Sequence, residues 1–197
     1  MTTRIIAGTA GGRRLAVPSG RSTRPTSDRT REGLFAAVVA ALGGLEGAHV
    51  LDLYAGSGAV GLEALSRGAA DALLIESDPG AVQVIRQNVA ALGMAGATVI
   101  RDRVGRVLRR GPGAMVPRDF VFADPPYAVS DDELGQVLAS LHAAGWLAAG
   151  ALVVVERDAR SGAPPWPAAF TQGRSRTYGA TVLWYGRASG AAPAGAG

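Results

Sequence analysis

Short apolar runs alternate with segments of helical periodicity along most of the chain, and this alternation is typical of an α/β protein with a parallel sheet. The segment 161–179 is rich in proline and glycine, and a further strand near Phe170 fits there. We therefore expect one sheet with helices in the connections. The apolar runs predict strands at His49–Leu53, Ala72–Glu76, Thr98–Asp102, Asp119–Asp124, Ala151–Glu156 and Thr181–Tyr185.

Capping residues mark the starts of the helices, and glycines mark their ends. Before the first helix, Thr3–Gly8 and Arg13–Val17 predict a β-hairpin that turns at residues 10–12. We expect this arm to occupy residues 1–26, the main domain residues 27–187, and a disordered tail residues 188–197. The predicted helices run from Ser27 to Gly43, from an Asp78 N-cap to Gly93, and from a Ser130–Glu133 capping box to Gly145.

The positive charge is concentrated at the N-terminus. The formal net charge is +4, but residues 1–31 hold seven arginines and one acid, whereas residues 32–197 hold 13 arginines and 15 acids. Every cation is an arginine, whose planar guanidinium suits bidentate contact with phosphate. Such clustering is typical of a phosphate-binding arm, and we assign these contacts to Arg4, Arg13, Arg14 and Arg24.

The composition argues against several classes of protein. No signal-peptide pattern opens the sequence, and the longest apolar stretch, Ala143–Val155, is shorter than the ~20 residues that a membrane span needs. The chain has no cysteine, and its two histidines, His49 and His142, lie far apart. We therefore expect a monomeric cytoplasmic protein with no metal site and no membrane partner.

The first candidate site is a strand, a glycine loop and a helix start at Val50–Gly61. Glycines let a backbone approach a nucleotide closely, and Glu76 ends the next predicted strand 20 residues after Gly56, where an acid can bind ribose hydroxyls. Asp52 precedes the turn, where it would repel a pyrophosphate and attract the sulfonium and ammonium groups of S-adenosylmethionine. The pattern favours S-adenosylmethionine, while a dinucleotide and a purely structural turn remain open.

The second candidate site is the tetrapeptide Asp124-Pro125-Pro126-Tyr127, at the end of another predicted strand. Prolines fix φ and cannot donate, so a carboxylate and a proline carbonyl can both face a ligand as acceptors. Two acceptors can hold the two hydrogens of an exocyclic base amine, and a tyrosine can stack on a base that has left its helix. We expect Asp124 to keep an ordinary carboxyl pKa near ~4. A proline-stiffened loop with a capping Asp124 is the structural alternative.

Together these segments resemble the bacterial small-subunit ribosomal RNA guanine-N2 methyltransferases. The resemblance is close from Arg4 to Tyr127 and thinner thereafter. Ala16, Gly33 and Ala36 stand where the family often has Lys, Ala and Asn, which bears on RNA affinity and on the rigidity of the first helix. The matching segments are Arg4–Gly8, Gly12–Leu15, Arg24–Phe35, Leu51–Gly61, Leu62–Gly68 and Asp124–Tyr127.

The resemblance implies a class I S-adenosylmethionine-dependent methyltransferase fold. This is a Rossmann-like, seven-stranded, mostly parallel sheet with strand order 3-2-1-4-5-7-6, extended by the N-terminal hairpin as an RNA-binding arm. The implied reaction moves a methyl group from S-adenosylmethionine to the N2 amine of one guanine in 16S ribosomal RNA of the small subunit. By position, Glu76 would bind the ribose and Asp102 would lie near the adenine. The remaining cofactor residues would be Asp52, Ala55, Gly56, Ser57 and Gly58, and the catalytic residues would be Asp124, Pro125, Pro126 and Tyr127.

Three other functions remain open at this point. A DNA adenine or cytosine amino-methyltransferase would use the same Asp124–Tyr127 chemistry, although it normally needs a longer target-recognition segment. A ribosome-assembly factor could bind RNA through the arm without catalysis. A nicotinamide oxidoreductase would share the glycine loop, and its response to NAD would distinguish it.

Overall fold

The computed structural model describes residues 3–18 and 27–190. A short hairpin comes first, followed by an alternation of helices and strands. The helices are α1 Asp28–Leu42, α2 Ala59–Ser66, α3 Pro79–Leu92, α4 Val104–Arg109 and α5 Asp131–Ala143. The strands are β1 Thr3–Arg4, β2 Arg14–Leu15, β3 His49–Leu53, β4 Asp71–Glu76, β5 Ala97–Arg101, β6 Arg118–Ala123, β7 Leu147–Asp158, β8 Phe170–Tyr178 and β9 Thr181–Ala188.

Strands β3 to β9 form one sheet in the order β5-β4-β3-β6-β7-β9-β8. Its first five members run parallel, while β9 is antiparallel to both β7 and β8. Counted from β3, this is the order 3-2-1-4-5-7-6, which confirms the expected fold class. The order reverses direction between β3 and β6, so the carboxyl ends of these two strands flank the crevice where ligands bind in such sheets.

Both faces of the sheet are covered, which explains why its parallel strands read as continuous apolar runs. One face packs against α1, α2 and α3 through a cluster that includes Phe35, Val60, Ile85 and Phe122. The other face packs against α4 and α5 through a cluster that includes Leu108 and Leu138. The sheet is therefore a rigid base for the loops at its carboxyl edge.

The sequence placed α1, α3 and α5 well, but it gave no prediction for the short helix α4. Some strand limits were placed less well, since the hairpin strands β1 and β2 are two residues each where Thr3–Gly8 and Arg13–Val17 were expected. Ser27, Asp78 and Ser130 cap α1, α3 and α5 as expected, and the Ser130 capping box forms in full. Strand β8 is nine residues long where only a strand near Phe170 was expected. Strand β9 continues to Ala188, the first residue of the expected tail, which pairs with Phe170 and is buried. Residues 191–197 of that tail lie outside the described residues.

The N-terminal hairpin packs onto the domain. Its two strands pair antiparallel, with Thr3 opposite Leu15. Ile5 and Leu15 are buried against Leu62 of α2 and Leu92 of α3. The expected arm also included residues 19–26, which lie outside the described residues.

Gly8 shows how tightly the hairpin is fitted. Its φ is +83°, and an added Cβ would stand 1.7 Å from the Ser66 carbonyl oxygen of α2. Only glycine combines this left-handed backbone with so close an approach.

The described part of the chain gives two negative results. None of its helices is both long enough and apolar enough to cross a membrane. Within residues 3–18 and 27–190, no group of three or more potential ligand side chains is arranged to hold a metal ion.

Candidate functional site

The glycine loop follows β3 and turns sharply into α2. The Ala55 N–H donates to the Ile75 carbonyl at 3.1 Å, and the Gly58 N–H donates to the Ala55 carbonyl at 2.7 Å. Gly56 and Gly58 have φ values of 57° and 78°, a region that glycine enters without steric cost. The loop residues Ala55, Gly56, Ser57 and Gly58 therefore lie together at the carboxyl edge of the sheet, as expected.

Glycine is also needed for packing at the start of α2. A Cβ on Gly58 would lie 3.0 Å from the Leu74 side chain, and one on Gly61 would lie 3.0 Å from the same side chain and 3.3 Å from the Asp52 carboxylate. The first turn of α2 thus sits directly on β3 and β4.

Glu76 closes the glycine loop from the neighbouring strand. Its Oε2 accepts from the Gly56 N–H at 3.0 Å, and its Oε1 accepts from the N–H groups of Ser77 and Asp78 at 2.6 and 2.8 Å. Three backbone amides thus fix the carboxylate beside the loop. Oε1 already accepts two N–H groups, whereas Oε2 keeps a lone pair that can accept from a hydroxyl group.

Asp52 lies beneath the loop and is only 2% exposed. Its Oδ2 accepts from the Gly61 N–H at 2.9 Å, which joins β3 to α2. Burial and the nearby charge of Glu76 raise the pKa of the Asp52 carboxyl to about 7, although the Gly61 hydrogen bond opposes this. A positive charge placed near such a carboxyl would stabilise its ionised form.

Asp124 lies one residue beyond β6, and its N–H approaches the Leu53 carbonyl at 3.4 Å. Burial, followed by the charges of Glu156 and Asp52, raises the pKa of Asp124 well above its usual value. The expectation of an ordinary pKa near ~4 is therefore wrong. The sequence did not reveal this because both the burial of Asp124 and its acidic neighbours depend on contacts with segments that are distant along the chain.

Glu156 is a member of this site that sequence reasoning missed. Ala123 of β6 pairs with Val155 of β7, so Glu156 stands next to Asp124 on the adjacent strand. The side chain is buried. The signal that could have found it was the predicted strand Ala151–Glu156, which ends in an acid and adjoins the Asp124 strand in the expected order.

Strand register places the four carboxylates on one face of the sheet. Asp52 pairs with Phe122, and Phe122 pairs with Val154. Because side chains alternate along a strand, Asp124 and Glu156 share that face with Asp52, as does Glu76. This is the α1–α3 face, and its carboxyl edge carries the acidic cluster Asp52, Glu76, Asp124 and Glu156.

Tyr54 is a second residue that the sequence did not reveal as part of the site. Its φ of 60° makes it the one described non-glycine residue with positive φ, a conformation that costs of order 1 kcal/mol or more. Burial, helped by the charge of Glu133, raises the pKa of Tyr54 to about 12, so its hydroxyl keeps its proton. The strained backbone turns the chain directly after Asp52 and Leu53.

The rest of the proline tetrapeptide projects from the sheet edge. Pro125 is half-buried, Pro126 is exposed, and Tyr127 is 74% exposed. The turn continues to Val129, whose N–H donates to the Pro126 carbonyl at 2.9 Å before α5 begins. A broad aromatic face is therefore open to solvent next to Asp124.

Asp102 differs from the acids of the cluster because its carboxylate is paired with arginines. Its N–H donates to the Glu76 carbonyl at 3.2 Å, which places it at the end of the neighbouring strand. Its carboxylate accepts from the Arg103 N–H at 2.8 Å and lies 3.4 Å from Arg106 and 3.2 Å from Arg110. Much of its hydrogen-bonding capacity is thus used by α4 and the two residues that flank this helix.

The four arginines assigned to phosphate contacts have different surroundings. Arg4 is 60% exposed, with its Nε 3.4 Å from Asp28. Arg13 donates to the Ala91 carbonyl of α3. Arg14 is exposed and forms no ion pair with any described residue. Arg24 lies outside the described residues.

The chain is similar to known proteins along most of its length. A family model described as "Conserved hypothetical protein 95" matches residues 3–187. Ribosomal RNA small subunit methyltransferase D of Escherichia coli K12 is 39% identical over 176 residues, covering 89% of this chain and 85% of that protein. The protein of the same name from Haemophilus influenzae is 35% identical over 157 residues, covering 79% and 78%.

Solved structures have the same fold. That of Escherichia coli yhhF matches with a TM-score of 0.83 and 36% identity, covering 96% of this chain and 99% of that one. A hypothetical protein of Thermus thermophilus matches with a TM-score of 0.77 and 34% identity, covering 93% and 98%.

Proposed function

We propose that the chain methylates small-subunit ribosomal RNA. The chain belongs to the family described as "Conserved hypothetical protein 95", and its relatives include ribosomal RNA small subunit methyltransferases. The proposed donor is S-adenosylmethionine, and the proposed acceptor is the N2 amine of a guanine in 16S ribosomal RNA. The observation that carries the proposal is the acidic cluster beside the glycine loop.

A cationic ligand fits this cluster better than a phosphorylated one. Every charged member of the cluster is acidic, and the pKa values of Asp52 and Asp124 are raised by burial and by the charges of neighbouring carboxylates. A pyrophosphate here would add further negative charge. A ligand with a sulfonium and an ammonium group would relieve the repulsion, which favours S-adenosylmethionine over NAD.

Different residues around the loop would contact different parts of the proposed cofactor. Glu76, held by three amides, would bind the ribose by accepting from a hydroxyl group through Oε2, and the loop from Ala55 to Gly58 would contact the methionine part. Asp52 would act mainly through its charge, because its carboxylate is buried and already bonded to Gly61. Asp102 would lie near the adenine.

The target amine would be held by the proline tetrapeptide. S-Adenosylmethionine supplies a methyl group on a positively charged sulfur. Asp124 and the Pro125 carbonyl would accept the two amine hydrogens, which orients the nitrogen lone pair along the line of displacement. Methylation would leave the amine nitrogen with a proton to lose, and the raised pKa of Asp124 would suit its ionised carboxylate to accept that proton. Tyr127 would stack on the extruded base.

The proposed RNA contacts lie on the N-terminal hairpin. Arg14 is the best candidate, because its guanidinium is exposed and forms no ion pair with any residue in the described ranges. Arg4 would have to share its charge with Asp28, and Arg13 already donates to a carbonyl.

Methyl transfer from labelled S-adenosylmethionine would test the proposal directly. The purified protein is incubated with unmodified small ribosomal subunits, naked 16S ribosomal RNA or DNA, and the labelled nucleotide is identified after digestion. We expect N2-methylguanine in ribosomal RNA. Label in DNA would favour an amino-methyltransferase of DNA, and RNA binding without transfer would favour an assembly factor. A melting temperature that rises with NAD but not with S-adenosylmethionine would refute the cofactor assignment.

A further inference from the structure

The side chain of Asn88 connects the N-terminal hairpin to the glycine loop. Its Nδ2 donates to the Ala16 carbonyl at 3.0 Å and to the Ser57 carbonyl at 2.9 Å, and its Oδ1 accepts from the Ala16 N–H at 2.8 Å. Ala16 directly follows β2, and Ser57 lies in the middle of the glycine loop. One amide of α3 therefore bonds both the proposed RNA arm and the proposed cofactor loop.

We propose that Asn88 is a positioning residue that couples RNA binding at the hairpin to cofactor binding at the glycine loop. The proposal rests on the proposed function. It adds that the two binding sites are energetically linked through a named contact, so that each ligand tightens the binding of the other.

The geometry leaves Asn88 little freedom. The residue is 3% exposed, and both of its amide hydrogens and its oxygen are bonded. Aspartate has the same shape but cannot donate, so its carboxylate would face the carbonyl oxygens of Ala16 and Ser57. A movement of Ala16 thus strains or relieves the bond to Ser57, because one rigid planar group makes both.

A second connection runs from the hairpin through α2. The buried carboxylate of Glu63 accepts from the N–H groups of Ile6 and Ala7 at 2.6 and 3.0 Å. The same helix begins at the glycine loop, and the Gly61 N–H in its first turn donates to Asp52. The hairpin is therefore bonded to both helices that follow the strands of the cofactor site, and Asn88 is the link that bonds a loop residue itself.

This arrangement predicts reciprocal coupling. If RNA holds the hairpin in its docked position, the Ser57 carbonyl is fixed before the cofactor arrives, and the cofactor loses less conformational freedom on binding. Linkage then requires the cofactor to improve RNA affinity by the same factor.

The matched pair of variants is Asn88→Asp and Ser66→Ala. Both remove hydrogen bonds that dock the hairpin, because the Ser66 hydroxyl accepts from Ala10 at 3.0 Å and donates to Ala7 at 2.6 Å. Only Asn88 also bonds the glycine loop. Calorimetry would give the Kd of S-adenosylhomocysteine for each protein, and filter binding would give the Kd of a 16S ribosomal RNA transcript with and without saturating S-adenosylhomocysteine.

We expect the unaltered protein to bind RNA more tightly when S-adenosylhomocysteine is present. Asn88→Asp should weaken S-adenosylhomocysteine binding on the order of tenfold, because a buried acceptor loses its donor, and should abolish the coupling. Ser66→Ala should change the Kd of S-adenosylhomocysteine less than about twofold. Equal RNA affinity of the unaltered protein with and without S-adenosylhomocysteine would overturn the proposal, as would unchanged coupling in Asn88→Asp.

Hydrogen exchange on the unaltered protein gives a readout that needs no variant. RNA alone should slow amide exchange at Gly58 and Gly61, whose N–H groups are bonded at the loop and the first turn of α2. Unchanged exchange there with RNA bound would contradict the link even if Asn88→Asp fails to fold. A protein that binds no S-adenosylhomocysteine at all would instead refute the proposed function.

Discussion

Replacing Asp52 with Asn should stabilise the ligand-free protein at alkaline pH while damaging cofactor binding. Burial raises the pKa of the Asp52 carboxyl from 3.8 to about 7. The folded protein therefore holds this proton more tightly than the unfolded chain does. The contribution of this group is fully present below the unfolded pKa of 3.8 and is lost as pH rises toward about 7. Asparagine keeps an acceptor for the Gly61 N–H but cannot ionise.

The size of the effect follows from the shift. Each pKa unit corresponds to about 1.4 kcal/mol, so an ionised Asp52 costs at most about 4 kcal/mol of folding free energy at about pH 8. At about pH 5 the cost is about 2 kcal/mol, because the unfolded carboxyl is ionised and the folded one is not. The stability advantage of Asp52→Asn should thus widen by about 2 to 3 kcal/mol between these two pH values.

Urea denaturation followed by tryptophan fluorescence, to which the buried Trp146 contributes, would measure this difference in stability at both pH values. The exposed carboxyl of Asp132 offers a control, and Asp132→Asn should shift stability by less than about 1 kcal/mol at either pH. The same Asp52→Asn protein should show a smaller rise in melting temperature with S-adenosylmethionine than the unaltered protein. Parallel pH profiles for Asp52→Asn and the unaltered protein would show that the buried carboxyl is not the source of the pH dependence.

Three further predictions concern the base site, the hairpin and its docking. Asp124→Ala should lower the single-turnover methyl-transfer rate on the order of 10²- to 10³-fold. Asp124→Asn should keep partial activity if the residue only orients the amine. An unchanged rate in Asp124→Ala would remove Asp124 from the mechanism. Replacing Arg13 and Arg14 with Ala should flatten the log-affinity against log-salt slope for RNA by roughly 0.7 to 0.9 for each phosphate that is no longer bound, and an unchanged slope would make the arginines structural. Gly8→Ala should lower the free energy of unfolding, measured by chemical denaturation, by about 1 to 3 kcal/mol, because the new Cβ would clash with the Ser66 carbonyl and φ is +83°. Equal stability would mean that the hairpin can shift at no cost.

The sequence predicted the parts of the site that are local in the chain. The glycine loop, Glu76 and the Asp124–Tyr127 tetrapeptide all lie at strand ends that alternating apolar runs mark clearly, and the expected sheet order brings those ends together. Capping residues such as Ser130 gave correct helix starts because the cap bonds are made within one turn.

The features that the sequence did not predict depend mainly on contacts between distant segments of the chain. Glu156 joins the acidic cluster only through pairing of β6 with β7, and the raised pKa of Asp124 follows in part from that neighbour. Asn88 reads as an ordinary polar residue of an amphipathic helix until Ala16 is seen beside it, 72 residues earlier in the chain. Strand β8 was indistinct because its residues are mostly exposed, so it lacks the apolar run that marks a buried strand.

The inner position of β9 has a consequence for synthesis of the chain on the ribosome. Among the described residues, strand β8 pairs only with β9, which is made after it, and the edge of β7 that faces away from β6 is likewise covered only by β9. Until residues 181–188 have emerged from the ribosome, the nascent chain therefore exposes the unpaired backbone edge of β7, a strand of the hydrophobic core. An unpaired edge of this kind promotes aggregation. Chains interrupted within β8 should depend on chaperones far more than chains released after β9.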